Sequence, residues 1–219
     1  MKRNILTILG SLALLTACGK FPLGNQVDRE KVMDGVKLIS PSIPNDTDAS
    51  AMLQNDYVVS DQQRLLLRYE AFSASVSQVI TSDQTRVNVT ITLKDEKDSD
   101  VALKSMQLCP LNRDWMMAAT WSWAVPAPGG RWTQAGGDFD PKGCLNAAPS
   151  VIAPIDKALI IFDVTNWVKD YAYGRNQNYG LILISKAPIK IYGDGSAYQA
   201  PKLKWQEYAV AGPVWSPSP

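Results

Sequence analysis

The chain has 219 residues, 46% of them hydrophobic, and its 22 Lys and Arg nearly balance its 21 Asp and Glu. This balance excludes a strong electrostatic attraction to nucleic acid or anionic lipid, and no nucleic-acid partner is expected. Histidine is absent from the sequence, which excludes Ser-His-Asp and Cys-His catalytic arrangements. The 14 Gly, 14 Pro and few long helical patterns indicate a β-rich domain with ample apolar content for a core.

The amino-terminal residues have the pattern of a secretory signal. The pair Lys2-Arg3 precedes an apolar run over residues 5–15, which is shorter than the roughly 20 apolar residues that a membrane span needs. The run closes in Leu15-Thr16-Ala17-Cys18, which resembles the bacterial lipobox. That resemblance implies removal of residues 1–17 and acylation of Cys18, and two or more acyl chains anchor a protein stably. An ordinary secretory signal with an incidental cysteine is the alternative.

Residues 18–35 are predicted to form a tether, because they are polar and mixed in charge and contain Pro22, Gly24 and Gly35. An acidic residue after the lipidated cysteine favours retention in the inner membrane, and this chain has Gly19 there. The sequence thus resembles lipoproteins that are sent to the outer membrane. We therefore expect a domain over residues 36–208 held at the bacterial envelope by a lipid anchor.

Strands are predicted where apolar and polar side chains alternate. The clearest alternation covers residues 65–69 and 87–93, and a charged turn over 94–100 leads to a further predicted strand over 101–108. The remaining apolar segments are residues 36–40, 159–162, 180–185, 189–192 and 202–208. Strands at this spacing predict a β-sandwich or a barrel.

One short helix is predicted to interrupt the strands. Asp163 or Thr165 can cap its start, and Gly174 can end it in a left-handed conformation. Four apolar side chains fall at helical spacing in between, namely Val164, Trp167, Val168 and Tyr171. Residues 209–219, which are rich in proline, are predicted to be a flexible tail.

Two cysteines remain after Cys18, and the chain is expected in a compartment where disulfides persist. We therefore expect Cys109 and Cys144 to be paired. Two buried free thiols are the alternative, because the sequence gives no distance between them. Two cysteines without a histidine do not make a tetrahedral zinc site, so no metal is expected there.

Six segments, in order along the chain, resemble the DNRLRE-domain family. They are Leu65-Leu66-Leu67-Arg68-Tyr69; Asp114-Trp115 with Ala119-Thr120-Trp121; Trp132 with Gly136-Gly137-Asp138-Phe139; Phe162-Asp163-Val164-Thr165-Asn166-Trp167-Val168; Asn178-Tyr179-Gly180-Leu181-Ile182-Leu183; and Ala200-Pro201-Lys202-Leu203-Lys204-Trp205. The resemblance implies a jelly-roll β-sandwich related to carbohydrate-binding modules, some of them alginate-binding. Members of the family often have an acidic residue just after the first Trp, whereas this chain has Met116 and Met117 there. No role of that carboxylate can therefore be assigned to this chain.

Aromatic residues around a Pro/Gly turn form the candidate binding site. Trp121 and Trp123 face the same side if the segment is extended, and Arg131-Trp132 follows the turn over residues 126–130. Ring faces and a cationic donor suit a sugar ring and an acidic group. Trp123 and Trp132 are expected to be exposed. The other family tryptophans are expected in the core, namely Trp115, Trp121, Trp167 and Trp205.

Three acidic residues in turn-like segments have both a structural and a functional interpretation. Asp138 and Asp140 lie two apart and offer a possible calcium site, although the regular alternation of a calcium loop is missing. Asp194 lies in a Gly-Asp-Gly turn. We interpret all three as turn and edge residues, because Asp is common in turns. Paired carboxylates of a glycosidase are the functional alternative, and sequence spacing cannot show the defined separation across a cleft that such a pair needs.

The sequence therefore predicts a lipid-anchored envelope protein with an all-β jelly-roll sandwich and one short helix. The domain is expected to be a non-catalytic binding or structural module whose ligand is a polysaccharide. The alternatives are a polysaccharide lyase or hydrolase, and a structural subunit that binds another envelope protein.

Overall fold

The computed structural model describes residues 26–42, 53–70, 72, 77, 80, 85–149, 158–196 and 198–208. The described strands are β1 (Gln26–Val32), β2 (Gly35–Ile39), β3 (Asp56–Val59), β4 (Arg64–Arg68), β5 (Val87–Thr92), β6 (Met106–Pro110), β7 (Leu145–Asn146), β8 (Ala148–Pro149), β9 (Leu159–Asp163), β10 (Leu181–Ser185), β11 (Ile189–Tyr192) and β12 (Lys202–Tyr208). The described helices are α1 (Ser99–Ser105) and α2 (Thr165–Ala172).

The strands form an antiparallel jelly roll. Sheet 1 has the order β1-β12-β5-β9-β8, sheet 2 has the order β2-β4-β10-β6-β7, and β3 pairs with β11 beside them. The pairs β1–β12, β4–β10, β5–β9 and β6–β7 are nested in the sequence and alternate between the two sheets. This is the wrapped, two-sheet arrangement of a jelly roll, so the predicted fold class is confirmed.

The main core lies between the two sheets. Alternate residues of β5, β4 and β10 point into it and are fully buried, as the pleat of a strand requires: Val87, Val89, Ile91, Leu65, Leu67, Leu181 and Leu183. Each such side chain contributes about 1.5–3 kcal/mol through burial. Helix α2 packs Val168 against this core, with Trp167 and Tyr171 partly buried beside it. The predicted helix is confirmed, and Gly174 ends it at a φ of 68°.

A second core lies on the face of sheet 2 that points away from sheet 1. Leu66 of β4 and Ile182 of β10 are fully buried there, although their neighbours in sequence point into the main core. Residues 111–144, which we call the cover, pack over these side chains. Cys109 and Cys144 form the predicted disulfide, with their Cα atoms 4.2 Å apart, so both ends of the cover are fixed to sheet 2.

The structure corrects the prediction of a strand over residues 101–108. Residues 101–105 belong to α1, and β6 begins only at Met106. Val101 and Lys104 are exposed while Ala102 and Ser105 are buried, a spacing of three that fits a helix and not a strand. The Ser105 hydroxyl donates to the Val101 carbonyl at 2.6 Å. The structure therefore describes a second short helix that the sequence did not predict.

The predicted tether boundary at residue 35 is also wrong, because residues 26–32 form β1. This strand pairs with β12 over seven residues, from Gln26 opposite Tyr208 to Val32 opposite Lys202. Cross-strand ion pairs stabilise the ribbon: Glu30 lies 2.8 Å from the Lys202 ammonium and 3.6 Å from that of Lys204. The hydrogen bond from Lys202 lowers the pKa of Glu30. Four successive charged residues, 28–31, lie in β1, so the strand shows no alternation of apolar and polar side chains and was not predicted.

The predictions for residues 1–17, Cys18 and the tail over 209–219 lie outside the described residues. Across the residues that are described, no helix is long and apolar enough to cross a lipid bilayer.

Two buried tyrosines give opposite predictions for the loss of a hydroxyl. The Tyr69 hydroxyl is buried and has no hydrogen-bond partner in the described part of the chain, whereas the Tyr57 hydroxyl donates to the Asp194 carboxylate at 2.7 Å. An unpaired buried hydroxyl is costly, so Tyr69→Phe is expected to leave the free energy of unfolding unchanged or raise it by about 1 kcal/mol. Tyr57→Phe is expected to lower it by about 1–3 kcal/mol. Urea denaturation of both variants checks this, and an equal loss in the two would contradict it.

Candidate functional site

The cover is attached to sheet 2 through two arginines of β4. Arg64 and Arg68 lie on either side of Leu66 on the same face of the strand. The Arg68 guanidinium lies 4.6 Å from the Trp115 ring, and it donates to the Asp114 carboxylate at 2.6 Å. Stacking of a guanidinium on an indole contributes about 0.5–2 kcal/mol, depending on how far it is desolvated.

The second attachment is made by Arg64. The Arg64 guanidinium lies 4.9 Å from the Trp121 ring and 5.6 Å from the Phe139 ring. It also donates to the Gly136 carbonyl at 2.9 Å. Burial lowers the pKa of Arg64, but the side chain stays charged at neutral pH. The two arginines therefore fix the inner surface of the cover at both ends of β4.

Trp115 lies in the second core, as predicted. Its side chain is 0% exposed, and its indole N–H donates to the Tyr179 carbonyl at 2.9 Å. Trp205 is buried in the main core, and Trp167 and Trp121 are each partly buried. These four tryptophans therefore pack mainly inward.

The prediction that Trp132 is exposed is wrong. Its side chain is only 5% exposed, and its indole N–H donates to the Thr120 carbonyl at 2.9 Å. A β-bridge joins Trp123 to Arg131, and the Trp132 N–H donates to the Ser122 carbonyl at 3.2 Å. Because side chains alternate along such a pairing, Arg131 points outward and Trp132 points into the second core.

Trp123 and Arg131 are the predicted site residues that reach the surface. The Arg131 guanidinium is exposed and lies 4.6 Å from the ring of Trp123, which is half-buried. The chain bends at residues 121 and 122, and Trp121 contacts Arg64 of β4 instead. The structure therefore brings Trp123 and Arg131 together and separates their side chains from those of Trp121 and Trp132.

The turn between Trp123 and Arg131 is held by backbone hydrogen bonds. The Ala124 and Val125 N–H groups both donate to the Gly130 carbonyl, and the Gly130 N–H donates to Ala127. A Cβ atom at Gly130 would lie 2.0 Å from the Val125 carbonyl oxygen, so only glycine fits. Pro126 and its neighbours through residue 129 are exposed. The turn is therefore an exposed, hydrogen-bonded loop beside the Trp123–Arg131 pair.

Next to this turn, the cover contains an open cleft of about 380 Å³, lined by Asn112, Arg113, Thr133, Gln134, Asp138 and Phe139. The Arg113 guanidinium donates to the carbonyls of Gly129 and Arg131, which joins the cleft to the turn. Sequence reasoning missed Asn112, Arg113, Thr133 and Gln134, because they belong to no motif and lie in two separate segments. The disulfide and the packing of the cover bring them together.

The acidic residues considered as calcium ligands have structural roles. The Asp138 carboxylate accepts the backbone N–H groups of Thr133 and Gln134, each at 2.9 Å. Asp140 accepts the Lys142 N–H at 2.9 Å and caps a short turn. Within the described ranges, no group of three or more His, Cys, Asp or Glu side chains is placed to hold a metal ion.

Asp194 likewise holds a turn together. Its carboxylate accepts the Tyr57 hydroxyl at 2.7 Å and the Gln54 N–H at 3.1 Å. Burial, followed by the hydrogen bond to Asp194, raises the pKa of Tyr57 well above its ordinary value. This carboxylate therefore fixes the β3–β11 end of the fold.

No protein-family model matches the chain, and no curated protein matches it either. The resemblance to the DNRLRE-domain family stays a prediction that depends on the six segments given above.

Proposed function

We propose that the chain is a lipid-anchored protein of the bacterial envelope, related to the DNRLRE-domain family, whose jelly roll is a non-catalytic module that binds polysaccharide. The observation that supports binding is the outer surface of the cover. There the half-buried Trp123 and the exposed Arg131 stand beside a polar cleft on a segment fixed by a disulfide. Groups that are already positioned lose little conformational entropy when a ligand binds.

The chemistry of this surface sets the expected affinity. Arg131 lies over the Trp123 ring, so a sugar would contact the remaining exposed area of the indole. The guanidinium offers N–H donors to hydroxyl or carboxylate oxygens. An aromatic contact adds about 0.5–1.5 kcal/mol beyond its buried area, so a few such contacts give affinities on the order of micromolar to millimolar.

The short tether fits a role at the membrane surface. If Cys18 carries the lipid, the seven residues 19–25 separate it from β1. A fully extended chain spans at most about 3.6 Å per residue, so the eight residue steps from Cys18 keep the start of β1 within about 29 Å of the anchor. The ligand would then be a polysaccharide of the cell's own envelope or one that reaches the envelope from outside.

The anchor is tested by replacing Cys18 with alanine. The wild-type protein is expected in the outer-membrane fraction with the mass of attached acyl chains, whereas Cys18→Ala is expected to lose the lipid and leave that fraction. Membrane fractionation and intact mass spectrometry measure both. Wild-type protein without lipid mass, or unchanged fractionation of the variant, would contradict the anchor.

The binding role is tested with the full-length lipoprotein in mild detergent, on an array of neutral and acidic glycans and with envelope polysaccharide. Binding without release of reducing ends or unsaturated products is expected. A Trp123→Ala variant should bind more weakly because the ring contacts the ligand, with little change in melting temperature because the ring is partly exposed. Co-purification of one stoichiometric envelope protein without glycan binding would favour the structural-subunit alternative.

A further inference from the structure

The cleft in the cover contains two charged side chains, and both are already engaged by backbone groups. Two guanidinium nitrogens of Arg113 donate to the carbonyls of Arg131 and Gly129. Both carboxylate oxygens of Asp138 accept backbone N–H groups, from Thr133 and Gln134. These bonds shape the cleft, and the two opposite charges leave its lining with no net charge.

Three other lining side chains carry polar groups that are not engaged. Asn112, Thr133 and Gln134 are exposed, and their side-chain amides and hydroxyl make no hydrogen bond or ion pair among the residues that the structure describes. Each of these groups can both donate and accept a hydrogen bond. Amides and hydroxyls of this kind match the hydroxyl groups of a sugar, which also donate and accept.

The remaining wall is an aromatic ring on a fixed backbone. Phe139 is half-buried, pairs with Leu111 through a β-bridge, and has the Arg64 guanidinium 5.6 Å from its ring. The loop before it contains Gly136 and Gly137, both with positive φ, and a Cβ at either would lie 2.8 Å from Trp121 or Ile182, respectively. The ring and the backbone of this loop are therefore held in place before any ligand arrives.

We infer that this cleft is the subsite that recognises the polysaccharide, and that it takes a neutral sugar unit. The inference rests on the proposed function and makes it more specific. The volume of about 380 Å³ lies within the range of about 300–1,000 Å³ that is usual for small-molecule sites. An acidic sugar would bring a carboxylate to a lining in which the positive charge of Arg113 is balanced by the negative charge of Asp138, whereas a neutral sugar needs only the amides, the hydroxyl and the ring.

The test is titration of the full-length lipoprotein with two sets of probes. The neutral probes are cellohexaose, laminarihexaose and mannohexaose, and the acidic probes are oligoalginate and oligogalacturonate. At least one neutral probe is expected to bind more tightly than both acidic ones. Asn112→Ala and Gln134→Ala are each expected to weaken that binding about 2- to 10-fold, the effect of losing one neutral hydrogen bond.

Matched controls separate the site from the fold. The double variant Asn166→Ala/Gln199→Ala removes the same two side-chain types from exposed positions outside the cleft and should bind like the wild type. Trp123→Ala should weaken neutral-sugar binding less than the cleft double variant Asn112→Ala/Gln134→Ala. In the wild type, the side-chain amide resonances of Asn112 and Gln134 should shift on titration, which locates the ligand without any variant.

The outcomes distinguish the inference from the proposed function. Neutral binding that the cleft double variant does not weaken, or glycan binding that needs a carboxylate and Arg131, would overturn the inference and leave the proposed function in place. Failure of every neutral and acidic probe to bind the wild-type protein would overturn both.

Discussion

Replacing Cys109 and Cys144 together with alanine is expected to lower the free energy of unfolding by about 3–4 kcal/mol. The disulfide closes a loop between residues 35 apart in sequence, and its removal restores conformational freedom to the unfolded chain. Denaturation in guanidinium chloride measures the change. Wild-type protein treated with a reductant serves as the control and should lose the same amount.

The same variant has an expected structural signature. The cover contributes Trp115 and Trp132 to the second core, so its loosening should let water reach both rings and shift tryptophan fluorescence to longer wavelength. Neither cysteine lies in sheet 1, so the strands of this sheet should stay paired. The far-ultraviolet circular dichroism of the variant should therefore stay close to that of the wild type. A loss below about 1 kcal/mol would show that packing and the two arginine–tryptophan stacks hold the cover without the bridge.

The second large effect is expected at Gly180, at the entrance to β10. Its φ is 85°, and an added Cβ would lie 2.4 Å from the Leu67 carbonyl oxygen and 3.3 Å from the Trp115 indole nitrogen. Left-handed strain costs about 1–2 kcal/mol and overpacking about 1–3 kcal/mol, so Gly180→Ala should lose about 2–5 kcal/mol.

Gly174 provides the matched control for this prediction. It also has a positive φ, 68°, but a Cβ there would meet no atom within 4 Å. Gly174→Ala should therefore lose only the strain of about 1–2 kcal/mol. Urea denaturation of the two variants in parallel gives the comparison, and equal losses would mean that the backbone near Leu67 moves aside at little cost.

The parts of the fold that the sequence predicted are those governed by local patterns. Strand β5 alternates because one face meets the main core, and β4 and β10 are apolar because both of their faces are buried. Helix α2 is preceded by Asp163, which accepts the Thr165 N–H, and followed by Gly174 with positive φ. Strand β1 was missed because its polar and charged side chains show no apolar alternation and it forms by pairing with β12, a partner almost the whole chain away. Helix α1 was missed because its apolar residues are too few to distinguish a period of three from a period of two.

The candidate site was predicted only in part, for a similar reason. Tryptophans in the sequence pointed to the segment that carries the candidate site, but which rings face outward depends on the pairing of Trp123 with Arg131. The cleft could not be predicted, because Asn112 and Gln134 meet only after the cover folds back on itself. The disulfide between the two ends of the cover was predicted from the sequence, but the second core beneath the cover was not.

The pairing of β1 with β12 has a mechanical consequence for the proposed anchor at Cys18. If the anchor and a ligand on the cover were pulled apart, the force would reach the described part of the chain at Gln26 and would peel β1 from β12 one residue pair at a time. The peeling meets the ion pairs of Glu30 with Lys202 and Lys204 before it reaches the end of the ribbon. The most highly charged strand of the sandwich, and not its apolar core, would then bear the load first.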